Sequence, residues 1–330
     1  MKSIKYRDRF FEYTTPQEKD MRYFAKKILL PVYAFFYKLC MMINHKKSKG
    51  VKKYNVSICA IFKNEARYLK EWIDFHSIVG VDHFYLYNNN STDEFASILK
   101  PYIENGTVEL IEWPKEHSQM DAYRDCIKNY SQDSQWIGFI DIDEFVVPNE
   151  SSTIYDFLKK FNNKRPAVMM YWKIFGSSGL VERSADRLVI EDFTVCWPRF
   201  INIGKCFFNT NYTFAEQSKQ NYSLHHCLWT KLGGITVPPV NIFDKVSFNI
   251  RHKSKNKPFP IQINHYFTKS YDEYAQKSAR GDAYYKISPY DKEYFYRYES
   301  KCSDVDYNIF KYLIKLKTKE SDEVNGKKSY

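Results

Sequence analysis

Asp141 and Asp143 stand one residue apart, directly after the continuously apolar run Trp136–Ile140. Along an extended chain, side chains at i and i+2 point to one side. Two like charges held that close are costly unless something neutralises them. A hard divalent cation such as Mg²⁺ or Mn²⁺ would do so; the alternative is a strand-end turn whose carboxylates cap backbone N–H groups. A second Asp-x-Asp, Asp304 and Asp306, lies in a polar stretch with no apolar strand before it. His265 closes another apolar run, and its neutral imidazole could give a nitrogen ligand to the same cation or contact a phosphate. Lys269 and Arg280 follow it and are cations suited to a diphosphate.

The elements that must position these groups are legible as an alternation. Tyr54–Phe62, Phe84–Tyr87, Thr107–Glu112 and Trp136–Ile140 read as strands. Glu65–Val79, Glu94–Ile103 and Ser118–Tyr130 carry apolar residues at helical spacing between them. Apolar strands separated by helices predict an α/β domain with a mostly parallel, Rossmann-like sheet covered on both faces. Such sheets bind ligands at the carboxyl ends of their strands. That rule selects Lys63–Glu65, the polar cluster Asn88–Asp93, and Asp141–Glu144. Further on, Ala167–Ile174 and Ile261–Tyr266 read as strands and Ser270–Gly281 as a helix, whereas residues 175–260 resist assignment.

The net charge of +11 is distributed unevenly. Residues 1–53 carry +10, residues 54–310 carry −2 and residues 311–330 carry +3. A nearly neutral body argues against a nucleic-acid groove and leaves the basic character in the two ends. The stretch Ile28–Ile43 (ILLPVYAFFYKLCMMI) is flanked by Lys26-Lys27 and Lys46-Lys47. It is shorter than the ~20 residues that cross hydrocarbon. An interfacial anchor on an anionic membrane, a core-packing helix and a short span remain open. The chain thus divides into a basic leader (1–53), a nearly neutral body (54–310) and a basic tail (311–330). Seven cysteines without a C-x-x-C motif read as reduced thiols in a bacterial cytoplasm.

Six ordered blocks carry a resemblance. They are FKNE (62–65), EWIDFH (71–76), YNNNSTD (87–93), WIGFIDIDEF (136–145), WKIFGSSG (172–179), and NHYFTKSYDEY (264–274) followed by KSARG (277–281). Together they resemble glycosyltransferase family 92 and related bacterial glycosyltransferases over roughly residues 54–300. The resemblance implies a GT-A fold with a nucleotide-binding half (54–150) and an acceptor half (151–310). It implies transfer, with inversion, of a sugar from a nucleotide diphosphate sugar, UDP-linked and galactosyl among its characterised relatives, usually with Mn²⁺. It implies that Asn64 and Glu65 meet the nucleoside and that Asn88, Asn90, Ser91 and Asp93 meet base and ribose. It places Gln119 and Arg124 at the same nucleotide, Asp141, Asp143 and His265 at the metal, and Lys269 and Arg280 at the diphosphate.

An inverting transfer also needs a carboxylate base for the acceptor hydroxyl. Glu144, Asp186, Glu191 and Glu216 are the candidates, with Glu191 preferred because its segment resembles a family block. Trp172, Phe175, Trp197 and Trp229 could stack on sugar faces or fill the core. The expected acceptor is a cell-surface glycan or lipid-linked glycan, as in lipopolysaccharide or capsule synthesis, met at the cytoplasmic face of a membrane. A metal-dependent phosphoesterase and a non-catalytic carbohydrate-binding protein remain as alternatives.

Overall fold

The computed structural model describes residues 11–12, 21–43, 50–246, 258–280 and 290–324. A nine-stranded mixed sheet organises them. Its strands are β1 (Tyr54–Phe62), β2 (His83–Asn88), β3 (Val108–Glu112), β4 (Ser134–Phe139), β5 (Glu144–Pro148), β6 (Ala167–Ile174), β7 (Gly204–Asn209), β8 (Val240–Asn241) and β9 (Ile261–His265). The spatial order is β3-β2-β1-β4-β7-β6-β9-β5, with β8 beside β6. Only β7 and β5 run against the rest.

The helices are α1 (Met21–Ile43), α2 (Ala66–Ile78), α3 (Phe95–Glu104), α4 (Gln119–Tyr130), α5 (Tyr271–Arg280), α6 (Lys292–Glu299) and α7 (Leu313–Val324). β1, β2 and β3 step outward in one direction, and the chain then returns through α4 to place β4 on the other side of β1. Right-handed crossovers therefore put α2 and α3 on one face and α4 on the other. The strand order reverses between β1 and β4, which opens a crevice at their carboxyl ends.

The expected elements of the first half form within a residue or two of their predicted bounds, and the strands inside the sheet are covered on both faces, whereas the edge strand β3 is buried only at Val108. β2 and β4 are buried at every position. In the second half the sheet continues without a break, so both halves share one core. Its tightest seams need glycine. A Cβ on Gly138 of β4 would collide with the Phe207 ring on β7, and one on Gly204 would meet the Met170 carbonyl on β6. The end of the chain, expected as a basic tail, forms α7 through residue 324. Leu316 is fully buried, and Lys319 reaches the buried Asp74 of α2 at 2.5 Å.

Candidate active site

The strand-end acids do not sit on an extended chain. β4 runs with the sheet and β5 against it, so residues 141–143 must turn, and the Glu144 N–H donates to the Asp141 carbonyl at 3.0 Å. Trp72, fully buried on α2, holds the turn by donating its indole N–H toward the carbonyls of Asp141 and Glu144 at 3.0 and 2.9 Å. The turn breaks the i, i+2 alternation and sends the two aspartates to different partners.

Asp141 accepts from Lys205 on β7 at 2.6 Å, from Tyr123 at 2.9 Å and from Gln119 at 3.1 Å. Asp143 faces Lys277 of α5 at 2.5 Å and His265 Nε2 of β9 at 3.6 Å. The grouping of acids thus differs from the expected pair. Asp143, Glu144 and His265 offer donor atoms that all lie within 4.8 Å of one another, while Asp141 is turned onto Lys205.

Electrostatics sharpen the contrast. Burial alone would raise the Asp143 carboxyl, but Lys277, His265 and Lys269 together overcome it and hold it well below its ordinary value. Glu144 is fully buried, and burial pushes it well up, helped by Asp141 and Asp143. Its Oε1 lies 3.6 Å from Lys205 and has no hydrogen-bond partner among the described residues. Lys205 is also fully buried; desolvation would lower it, but Asp141, Glu144 and Asp143 together outweigh that and keep it charged. Burial lowers His265 despite Asp143, leaving a neutral imidazole. The Asp143 carboxylate, the Glu144 carboxyl with its orphaned oxygen, which would give up its proton on metal binding, and a neutral imidazole fit a hard or borderline divalent cation such as Mn²⁺ or Mg²⁺.

The nucleotide-side residues predicted at the ends of β1 and β2 form one network. Ser91 Oγ accepts from the Asn64 N–H at 3.0 Å, Asn64 Oδ1 from the Thr92 N–H at 2.7 Å, and Asn88 Oδ1 from the Ser91 N–H at 2.9 Å. Asp93 Oδ2 accepts from the Ala66 N–H at 2.8 Å, so it caps α2 across the crevice. Asn64 and Asn90 take positive φ angles of 52° and 55°, which asparagine tolerates. Asn90 is exposed and Glu65 is buried at the mouth of α2. Gln119 joins the acidic turn through Asp141, whereas Arg124 pairs with Asp121 at 3.0 Å and reaches the Asn221 carbonyl.

α5 brings the cations. Ser270 and Glu273 form a capping box at its start: the Ser270 N–H donates to Glu273 Oε2 at 3.1 Å and the Glu273 N–H to Ser270 Oγ at 3.3 Å. Glu273 also pairs with Arg183 at 3.0 Å and accepts from Tyr68 at 2.8 Å. The ammonium of Lys269 stands 4.0 Å from the centre of the Tyr68 ring. Lys277, one turn after Glu273, is thereby aimed at Asp143. Arg280 ends α5, and its side chain lies outside the described residues.

Glu191 is not brought to this cluster. It pairs with Lys317 of α7 at 2.7 Å, and its short helix, Val189–Asp192, is held on α2 because Glu71 accepts from the N–H groups of Val189 and Ile190. Of the aromatic candidates, Phe175 and Trp197 are core residues. Trp172 packs between His265 and His226, with ring centres 4.7 and 4.9 Å away. Lys205 and Lys277 escaped sequence reasoning as site residues. Lys205 sits in the unassigned region and gave no signal beyond a lysine in an apolar run. Lys277 was signalled by the block KSARG.

The profile of glycosyltransferase family 92 matches residues 52–299. A family 92 protein of Oryza sativa subsp. japonica is 33% identical over 114 residues, 34% of this chain and 20% of that protein. A galactan beta-1,4-galactosyltransferase of Arabidopsis thaliana is 31% identical over 115 residues, 31% of this chain and 22% of that protein. The matches span only about a fifth to a quarter of the length of the curated relatives. Among solved structures, S. aureus TarS 1–349 is 12% identical over 51% of this chain and 52% of that chain, with a TM-score of 0.33. On the extent of the profile match, the chain belongs to glycosyltransferase family 92. Its mainly parallel sheet, with an acidic turn at the crevice beside β1, is a GT-A fold.

Proposed function

We propose that this chain transfers a hexose, galactose foremost, from a UDP-linked donor to a cell-surface or lipid-linked glycan at the cytoplasmic face of a membrane, with inversion. The observation that carries the reading is the convergence of Asp143, Glu144 and His265 within 4.8 Å at the β1/β4 crevice. The galactosyl donor is supported by relatives named as galactosyltransferases from Arabidopsis thaliana and Caenorhabditis elegans.

In this reading Asp143, Glu144 and His265 hold the cation, which when bound would withdraw negative charge from the departing diphosphate. Lys277 and Lys269, already turned toward Asp143, supply further positive charge to the same phosphates. Arg280 takes the same role from the end of α5. Glu65 and the Asn64–Ser91–Asn88 network, with Asn90 and Asp93, line the crevice for uridine. Gln119 and Tyr123 fix the Asp141 carboxylate, and Lys205 neutralises it, so that Asp141 can meet the ribose without repelling the diphosphate. Trp172, beside His265, offers an aromatic face to the hexose.

The test is thermal. UDP and Mn²⁺ together should raise the melting temperature of the full chain, and Asp143→Asn should remove the metal-dependent part of the shift. At a hundredfold excess over Kd the stabilisation is about 2.7 kcal/mol. If neither ligand moves the transition, the reading fails. Product analysis separates it from a phosphoesterase: a transferase releases UDP from its donor, a phosphoesterase releases sugar phosphate or inorganic phosphate.

A further inference from the structure

Helix α1 presents two apolar faces. Tyr37 and Met41 are 3% and 5% exposed, and Tyr33, Ala34 and Cys40 pack beside them on the domain. On the opposite side Ile28, Val32, Phe35, Phe36, Leu39 and Met42 are 41% to 69% exposed. At 100° per residue these six fall within roughly 120° of arc, a continuous stripe along the helix. The domain needs only the first face, so the second is covered by something else or left in contact with water at a large cost.

We infer that this stripe is a docking face for an anionic lipid bilayer, with α1 lying in the membrane plane. Two observations select that occupant. The stripe sits in the segment that carries +10, with Lys26, Lys27, Lys46, Lys47 and Lys49 at its ends and Lys38 exposed on its rim. Anionic headgroups attract such lysines, whereas a second copy of the chain would bring two +10 leaders together and be repelled. No described helix is long and apolar enough to cross a membrane, so the apolar contact is made at the interface.

The seat of α1 also sets the orientation of the domain. The Tyr37 hydroxyl donates to the Pro238 carbonyl at 3.4 Å, and the Arg165 guanidinium stands 5.4 Å from the Tyr37 ring centre. Arg165 precedes β6 and Pro238 precedes β8, so both mark the edge where these parallel strands begin. Asp143, Glu144 and His265 lie at the other edge. At ~3.3 Å per residue, the length of β6 separates the two edges by about 26 Å. The catalytic crevice is held off the bilayer, facing the height at which an extended glycan chain stands.

The experiment uses the full chain and needs no donor, so it fails or succeeds apart from the transferase reading. Phosphatidylcholine vesicles with and without phosphatidylglycerol are mixed with wild type, with Phe35→Trp, and with the double variant Phe35→Glu and Phe36→Glu. The wild type should sediment with the anionic vesicles. Trp at position 35 should shift its emission to the blue there and be quenched by brominated lipid. The double variant should lose at least tenfold in vesicle affinity while keeping its melting temperature, since both side chains are exposed. Unchanged vesicle binding by the double variant would overturn the inference. So would a wild-type dimer that the double variant dissociates and that ignores vesicles, because the stripe would then join two copies.

Discussion

Lys205 and Lys277 each face an acid of the same turn, but under different constraints. Lys205 is fully buried between Asp141 and Glu144 and has no path to a ligand, so its role is to hold the turn's charge in balance. Removing one partner of such a buried pair leaves an uncompensated charge, and Lys205→Met should cost about 3–5 kcal/mol in urea denaturation. Lys277 is less enclosed, and its ammonium competes with a cation for the charge of Asp143 by pairing with Oδ2. Lys277→Met should therefore bind Mn²⁺ about tenfold more tightly, measured by calorimetry without donor, while donor turnover falls. Equal loss of metal binding and turnover would instead make Lys277 a support for the ligand geometry. The acids were legible in the sequence because an apolar strand runs straight into them. Their division between a lysine and a metal-type cluster was not, because it depends on a turn and on partners 64 and 134 residues away.

α2 is the element on which the site is built. Its Trp72 fixes the acidic turn, its first N–H is capped by Asp93, and His76 ties its far end to β5. His76 Nδ1 donates to the Trp72 carbonyl at 2.8 Å, and Nε2 accepts from the Val146 N–H at 3.2 Å. Only a neutral imidazole can do both. Burial, partly offset by the bond to Trp72, accordingly pulls its pKa down to about 3. The unfolded chain binds this proton below about 6.5 and the folded chain does not until about 3, so stability falls with pH across that window. Unfolding free energy measured at pH 7 and pH 5 should drop by up to about 1.4 kcal/mol per unit from this residue, and His76→Gln should flatten the slope. The α2 pattern, like those of α3 and α4, was readable from helical spacing alone. β7 was not. Its run GKCFFN carries a lysine where alternation would put solvent, and the region around it holds strands of only two residues, such as Val195–Cys196 and Phe200–Ile201. Each pairs only with another two-residue strand far away in the chain, Asp304–Val305 and Phe11–Glu12 respectively, so local sequence holds little trace of them.

At the scale of the molecule, the uneven charge and the apolar leader belong to a single device. The sequence left interfacial anchor, core-packing helix and short span as alternatives for Ile28–Ile43, and the two faces of α1 combine a packed side with a bare one. Helix α1 therefore packs on the fold through Tyr37 and Met41. A chain shortened to begin at Val51 should lose the burial of Tyr37 and Met41, about 3–6 kcal/mol by area, and melt at a lower temperature in addition to losing vesicle binding. An unchanged transition would mean that α1 rests on the domain without stabilising it.

In the proposed function, the crevice between β1 and β4 binds a UDP-sugar through a cation held by Asp143. The most direct test is to incubate the purified full chain with a panel of nucleotide sugars and Mn²⁺ and to measure the nucleoside diphosphate released. Slow release of UDP from a UDP-hexose, UDP-galactose foremost, is the expected result, abolished by chelation and by Asp143→Asn. Release that persists in Asp143→Asn, or a panel on which no donor is cleaved or bound, would contradict it.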